Sequence, residues 1–174
     1  GLTLTASLSE RIRGDEMRVR ITGEMWWWRV AYLDGDGQPV IHDANELHIP
    51  VGEPVVLELE SADVVHSFWV PRLAGKLDMI PGRRNPMRIQ ADEPGQFGGQ
   101  CAEYCGGPHA LMGFVVIAHE REAFERLMAA RRAREAGPPP AGDPRGAELF
   151  ASAGCAACHR IAGTDANGLA GPDL

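Results

Sequence analysis

Residues 99–112, GQCAEYCGGPHALM, put two thiols, an imidazole, a thioether and a carboxylate into one glycine-rich loop. Such side chains act together only if both ends of the loop are held rigidly, so the chain must supply a firm scaffold around it. Gly106, Gly107 and Pro108 permit the sharp turn that returns His109 toward the cysteines. The donor set admits three readings. A Cys101–Cys105 disulfide leaves His109 and Met112 without a role. Zinc takes Cys and His but has little use for Met112. Thiolate and thioether donors beside imidazole suit copper, and a mononuclear blue-copper site needs only one of the two cysteines. Four ligands on one metal, or two thiolates bridging two coppers with a terminal His on each, both remain open. The second arrangement requires another histidine. His66, at the end of an expected strand in DVVHSFW, is the candidate, although a histidine in so apolar a setting is otherwise a hydrogen-bonded core residue.

The segments around the loop read as short strands. In Met17 to Tyr32, Met17, Val19 and Ile21 alternate with Arg18, Arg20 and Thr22, and the β-prone Trp26, Trp27, Trp28 and Val30 follow. Strict alternation there puts Trp26 and Trp28 on one face and Trp27 on the other. Asp34-Gly35-Asp36-Gly37 is a hairpin turn signal. Val55, Leu57 and Leu59 alternate with Val56, Glu58 and Glu60 as a half-buried strand, Pro94-Gly95 is a turn, and Met112 to Ala118 is an apolar strand. With 21 Gly and 13 Pro as punctuation, the pattern predicts a mainly β fold, a sandwich or barrel.

The pattern changes at Glu120. Glu120 to Ala136 is rich in Ala, Arg and Glu, with Phe124, Leu127 and Met128 at helical spacing. Gly137-Pro138-Pro139-Pro140-Ala141-Gly142 cannot continue a helix and reads as a semi-rigid linker. Asp143-Pro144 is an N-cap followed by Pro at the first helical position, so Arg145 to Ala153 is expected to be a second, short helix. It leads into Cys155-Ala156-Ala157-Cys158-His159, the pattern of covalent c-type haem attachment, with His159 as an axial ligand. The bare CxxC alternative is a redox dithiol. The expected organisation is a lead-in over 1–16, a β domain over 17–120, a closing helix over 121–136, a linker over 137–144 and a haem segment over 145–174.

A formal net charge of −7 argues against a nucleic-acid partner and is compatible with cationic protein partners. No run of 18 or more apolar residues occurs. Asp34, Asp36, Glu60 and Asp63 are candidates for steering a basic donor.

The segment DVVHSFWVPRLAGKLDMIPGRRN followed by GQCAEYCGGPHALMGFVV resembles subunit II of haem–copper cytochrome c oxidases, in its dinuclear copper (CuA) domain. The resemblance covers most of Met17 to Glu120. It implies a cupredoxin-like Greek-key β-sandwich in which Cys101 and Cys105 bridge two coppers and His66 and His109 are terminal ligands. It further implies Met112 as a weak ligand to one copper and the Glu103 carbonyl as a ligand to the other. The Glu103 carboxylate would reach a magnesium or manganese site shared with oxidase subunit I. GEMWWWRVAY resembles the aromatic cluster that receives an electron from cytochrome c. Trp26 is then the receiving residue and Trp27 the runner-up, although Glu24 and Met25 replace the usual His and Gln. GLAGPDL resembles the segment after the haem motif of class I cytochromes c, so the whole resembles subunit II of caa-type oxidases with a fused cytochrome c. In that family the domain lies on the extracytoplasmic, periplasmic face of the membrane. Two transmembrane helices would precede Gly1, and a cytochrome c continuation with a second axial ligand, absent after His159, would follow Leu174. The rival readings are the CuA domain of a nitrous-oxide reductase and a copper-delivery module without an electron-transfer role.

Overall fold

A computed structural model describes residues 16–137, 142–161, 163–172 and 174. Most of the lead-in over 1–16 and the centre of the linker, 138–141, lie outside the described residues. Among the described residues ten strands are arranged in two five-stranded sheets. They are β1 (Met17–Glu24), β2 (Trp27–Leu33), β3 (Pro39–Ala44), β4 (Glu46–Pro50), β5 (Val55–Ser61), β6 (His66–Trp69), β7 (Leu77–Met79), β8 (Asn85–Ile89), β9 (Gly95–Cys101) and β10 (Gly113–His119). One sheet has the order β3-β2-β1-β5-β8 and the other β4-β10-β9-β6-β7. Neighbours are antiparallel except for β1 with β5 and β10 with β4, the crossovers that join early and late strands. The sequence-expected β-sandwich is the observed fold.

Period-two patterning explains the core. Val19 and Ile21 of β1, Trp28, Val30 and Tyr32 of β2, Leu47 and Ile49 of β4, and Phe114 and Val116 of β10 are all buried between the sheets. Trp28 is the central residue. Its ring lies edge-on to Phe68 and Phe114 at 5.8 Å and 6.2 Å from the His66 ring, so the aromatic core extends to the foot of the cysteine loop.

Two strand expectations are corrected. Met17 to Tyr32 is not one strand: it is β1 and β2, which pair antiparallel through a tight turn at Met25-Trp26. Trp26 therefore does not share the buried face of Trp28; it is 38% exposed at the hairpin tip. The strand over Val55–Leu59 is not half-buried either, because Val56 and Glu58 are as enclosed as Val55 and Leu57. β5 lies between β1 and β8, and Arg18 and Arg88 flank Val56 in register while Arg20 flanks Glu58. Their long aliphatic stems cover the outward face, and Glu58 is ion-paired by Arg18, Arg20 and Arg84.

Helix α1 (Arg121–Ala136) closes the sandwich through Phe124 and Met128. Arg131 ion-pairs with Asp43, and its guanidinium lies 3.0 Å from His48 Nε2. Glu135 accepts a hydrogen bond from the His42 amide at 3.1 Å. Helix α2 (Pro144–Ser152) has Pro144 at its first helical position, as expected, and ends one residue before Ala153. Asp143 caps it by accepting from the Arg145 amide at 2.9 Å. Among the described residues no helix is long and apolar enough to cross a membrane.

Candidate metal centre

The loop is closed at its base by backbone hydrogen bonds. The Cys101 amide, at the end of β9, donates to the Met112 carbonyl at 3.0 Å, and the Ala102 amide donates to Ser67 of β6 at 2.9 Å. Gly106 has φ +105°, a conformation that L side chains rarely adopt, and so allows the chain to reverse. A 3-10 turn over His109–Leu111 then brings His109 back to the cysteines.

The four expected side-chain donors and His66 converge. Cys101 Sγ and Cys105 Sγ are 3.8 Å apart, in contact but not bonded. The two sulfurs have different neighbours. Cys101 Sγ lies 3.8 Å from His66 Nδ1, and its thiol donates to the Glu103 carbonyl at 3.1 Å. Cys105 Sγ lies 3.4 Å from His109 Nδ1 and 3.8 Å from Met112 Sδ. The result is two half-sites of similar composition joined through the sulfur pair. Among the described residues, His66, Cys101 and Cys105 form a potential metal-holding group with donor atoms all within 4.8 Å of one another. Both cysteines, His66 and Met112 are buried; His109 is half-buried and Glu103 exposed.

Outer contacts fix the donors. His66 turns Nε2 to Asp63 Oδ1 at 2.8 Å, leaving Nδ1 toward the sulfurs. Asp63 also accepts from the amides of Met25 and Val64. Burial raises the Asp63 pKa, but the hydrogen bond from His66 and those two amides outweigh it and hold the carboxyl below its usual range. Burial, followed by the neighbouring Cys101, pushes the Cys105 thiol up to about 11. Metal binding therefore has to displace a firmly held proton. The His109 ring packs edge-on to Tyr104 at 5.6 Å.

Trp26 belongs to this site. Its Nε1–H donates to the Cys105 carbonyl at 3.1 Å, and its ring lies over Gly106 and Gly107. Trp27 is half-buried on the outer face of the sheet, with the Arg29 guanidinium 4.7 Å from its ring centre. The steering candidates divide differently. Asp34 and Asp36 form the β2–β3 turn, at the other end of β2 from Trp26. Glu60 is ion-paired by Arg84 and Arg20, and Asp63 is committed to His66. Only Asp63 of the four lies beside the loop.

One contributor was missed from sequence. A Cβ at Gly23 would stand 2.8 Å from the His66 ring, so this glycine is the ring's seat. A lone Gly inside an alternating strand signals a close backbone approach, and Gly23 is such a signal.

The second group, Cys155, Cys158 and His159, lies in and just after a 3-10 turn over Cys155–Ala157. His159 Nδ1 is 2.8 Å from the Pro172 carbonyl and donates to it, which leaves Nε2 available as a ligand atom. The chain folds back closely here. A Cβ at Gly171 would meet the His159 ring at 2.7 Å, and one at Gly168 would collide with the Cys158 backbone. Cys155 and Cys158 are free thiols.

Two facing sheets with a buried cluster of thiol, imidazole and thioether donors at one end define a copper-binding cupredoxin domain. The chain belongs to the family described as cytochrome c oxidase subunit II, periplasmic domain, whose profile matches residues 33–119. It is 42% identical over 146 residues to a cytochrome c oxidase subunit 2 of Alkalihalophilus pseudofirmus, covering 84% of this chain and 42% of that one. It is also similar to the crystal structure of the periplasmic domain of cytochrome oxidase subunit II from Bradyrhizobium japonicum. The identity is 31% and the TM-score 0.61, over 71% of this chain and 97% of that one. A related structure holds subunit II of cytochrome c oxidase in a mixed disulfide with a thioredoxin-like protein, at 29% identity and TM-score 0.60, over 72% of this chain and 96% of that one. The chain spans well under half the length of the Alkalihalophilus relative.

Proposed function

We propose that this chain is the electron-receiving part of a cytochrome c oxidase, holding a dinuclear copper (CuA) centre and working with oxidase subunit I. The carrying observation is the pair of sulfurs at 3.8 Å, each beside a different imidazole nitrogen. Cys101 and Cys105 would be shared by two coppers, His66 and His109 would be terminal ligands, one to each, and Met112 and the Glu103 carbonyl would be weak ligands to different coppers. When bound, the pair of coppers takes up and releases single electrons with little change in structure. The chain's part is to hold six donors in place, exclude water from the sulfurs, and present Trp26 at the surface with a hydrogen bond directly to Cys105. This supports Trp26 as the residue nearest an arriving donor such as cytochrome c, with oxygen reduction assigned to the whole oxidase. The exposed Glu103 supports a carboxylate directed at a magnesium or manganese site shared with subunit I.

The proposal extends to the C-terminal segment. Cys155 and Cys158 would carry haem c by thioether bonds and His159 would be an axial ligand, a reading supported by its Pro172 contact. The proposed division is the CuA domain over 17–120, the closing helix over 121–136, the linker over 137–144 and the haem segment over 145–174. In the whole protein the domain stands on the extracytoplasmic side, anchored by a membrane segment. A thioredoxin-like reductant that keeps Cys101 and Cys105 reduced before copper arrives is the further partner, by likeness to the mixed-disulfide relative.

The test is copper reconstitution of the reduced chain. Two coppers per chain, with an electron paramagnetic resonance signal spread over both nuclei, are expected. A single cuprous ion without visible absorption overturns the reading.

A further inference from the structure

Asn45 stands between β3 and β4, where the chain crosses from one sheet to the other. Among the described residues it is the one non-glycine with a positive φ, +61°, a conformation that Asn adopts more readily than most side chains. Three hydrogen bonds meet on it. Its amide donates to the Trp28 carbonyl at 2.9 Å, its Oδ1 accepts from the Trp28 amide at 2.9 Å, and its carbonyl accepts from the Val115 amide at 3.0 Å. Both polar main-chain groups of Trp28 are thus held by one residue, which is itself tied to β10.

Trp28 depends on that hold. Its indole is fully buried and its Nε1–H has no hydrogen-bond partner among the described residues, so packing and the main chain alone place the ring. The ring lies 6.2 Å from the His66 ring and edge-on to Phe68 and Phe114, which follow His66 and Met112 by two residues each. Trp28 is also in register with Gly23, on which the His66 ring sits. A shift of the Trp28 main chain therefore reaches His66 twice, through the indole and through Gly23. The bond from Nε2 to Asp63 fixes one atom of the imidazole. It leaves the ring free to swing about that atom, and the packing stops the swing.

We propose that Asn45 is a positioning residue for the metal centre: by clamping Trp28 it keeps His66 Nδ1 turned toward Cys101. Asn45 touches none of the donor atoms and is itself exposed, so its part is to hold the residue that holds the ligand. That His66 binds copper rests on the proposed function above; its orientation through Asn45 and Trp28 does not.

The experiment compares Asn45→Gly with Asn45→Asp. Glycine keeps the left-handed backbone and removes the Oδ1 acceptor; aspartate keeps both. In the metal-free chain, ¹H–¹⁵N spectra of the indole and imidazole groups are expected to show the Trp28 Nε1–H and His66 Nε2–H signals moving in Asn45→Gly and returning in Asn45→Asp. In the copper-loaded chain, Asn45→Gly changes the copper hyperfine splitting and passes copper to a competing chelator severalfold faster. Ile41→Val, which removes a methyl from the core in β3, controls for a merely structural loss: the melting temperature falls and the His66 signal stays. An unmoved His66 signal in Asn45→Gly overturns the proposal, as does an equal shift in Asn45→Asp or Ile41→Val. A chain that takes up no pair of coppers overturns the copper reading, and the metal-free spectra still decide the positioning role.

Discussion

Trp26 hydrogen-bonds to the backbone of Cys105, a residue 79 positions away, and this contact helps to join the β1–β2 hairpin to the cysteine loop. The indole lies against two glycines, so no side chain separates it from the loop backbone. Trp26→Phe keeps an aromatic ring there and removes the donor. The expected cost in stability is about 1 kcal/mol, the usual net worth of one hydrogen bond. On the proposed function, electron arrival from an external donor slows severalfold while the copper spectrum is unchanged. Stopped-flow mixing of the copper-loaded chain with a reduced donor checks it, and an unchanged rate moves the role to Trp27 or elsewhere.

Gly23→Ala is predicted to damage the site from outside it. The added methyl meets the His66 ring at 2.8 Å, and that ring is fully buried and tied to Asp63, so it cannot turn away freely. Overpacking of this kind costs about 1–3 kcal/mol. The melting temperature falls, and the copper absorption bands shift or weaken because His66 Nδ1 moves relative to Cys101. A stable variant with an unaltered spectrum would show that Gly23 is not the seat of the ring.

The cysteine loop was legible in the sequence because chemistry selects its residues: few environments use Cys, Cys, His and Met together. His66 was legible only as a candidate, since its partnership with Cys101 is created by the pairing of β6 with β9. The tryptophan run misled for a physical reason. Alternation assumes a continuous strand, and the turn at Met25-Trp26 resets it, sending Trp28 inward and leaving Trp26 outside. Glu58 was read as solvent-facing because covering by arginine stems from both neighbouring strands depends on register, which no local pattern encodes. Gly23 carried a signal that gains meaning only once His66 is known to lie above it.

A histidine pair, His48 buried and His119 half-buried, makes stability depend on pH. His48 Nδ1 and His119 Nε2 are 2.8 Å apart, and Arg131 donates to His48 Nε2, so His48 is held neutral. Burial, then the Arg131 cation and His119, lower the His48 pKa from 6.5 to about 4; burial and Arg131 lower His119 as well. Asp43, Glu46 and the Tyr32 hydroxyl complete the surroundings. The folded pKa lies below the unfolded one. The stabilisation is therefore complete above about pH 6.5 and is lost as pH falls toward 4, because only the unfolded chain takes up the proton. At about 1.4 kcal/mol per pH unit the displacement corresponds to roughly 3 kcal/mol, which partial screening by water reduces to about 2 kcal/mol. Urea unfolding of the metal-free chain at pH 7 and pH 4.5, with His48→Gln as reference, measures it. Equal slopes of stability against pH in the two proteins would refute the assignment.

The copper-free sulfurs are predicted to be open to oxidation, with loss of copper binding. Cys101 and Cys105 are already in contact, and closing them to a disulfide requires the loop to bring the sulfurs from 3.8 Å to about 2 Å. Diamide would take two electrons and two protons from the pair, leaving one disulfide and the reduced hydrazine. Because Cys105 keeps its proton until well above neutral pH, oxidation is slow at pH 7 and faster at pH 9, where more thiolate is present. The oxidised chain takes up no copper, and a dithiol reductant restores uptake. Thiol counting by mass, with alkylated Cys155 and Cys158 as the internal reference, follows the reaction alongside copper stoichiometry. Full copper uptake by the oxidised chain would mean that the two sulfurs are not the shared donors.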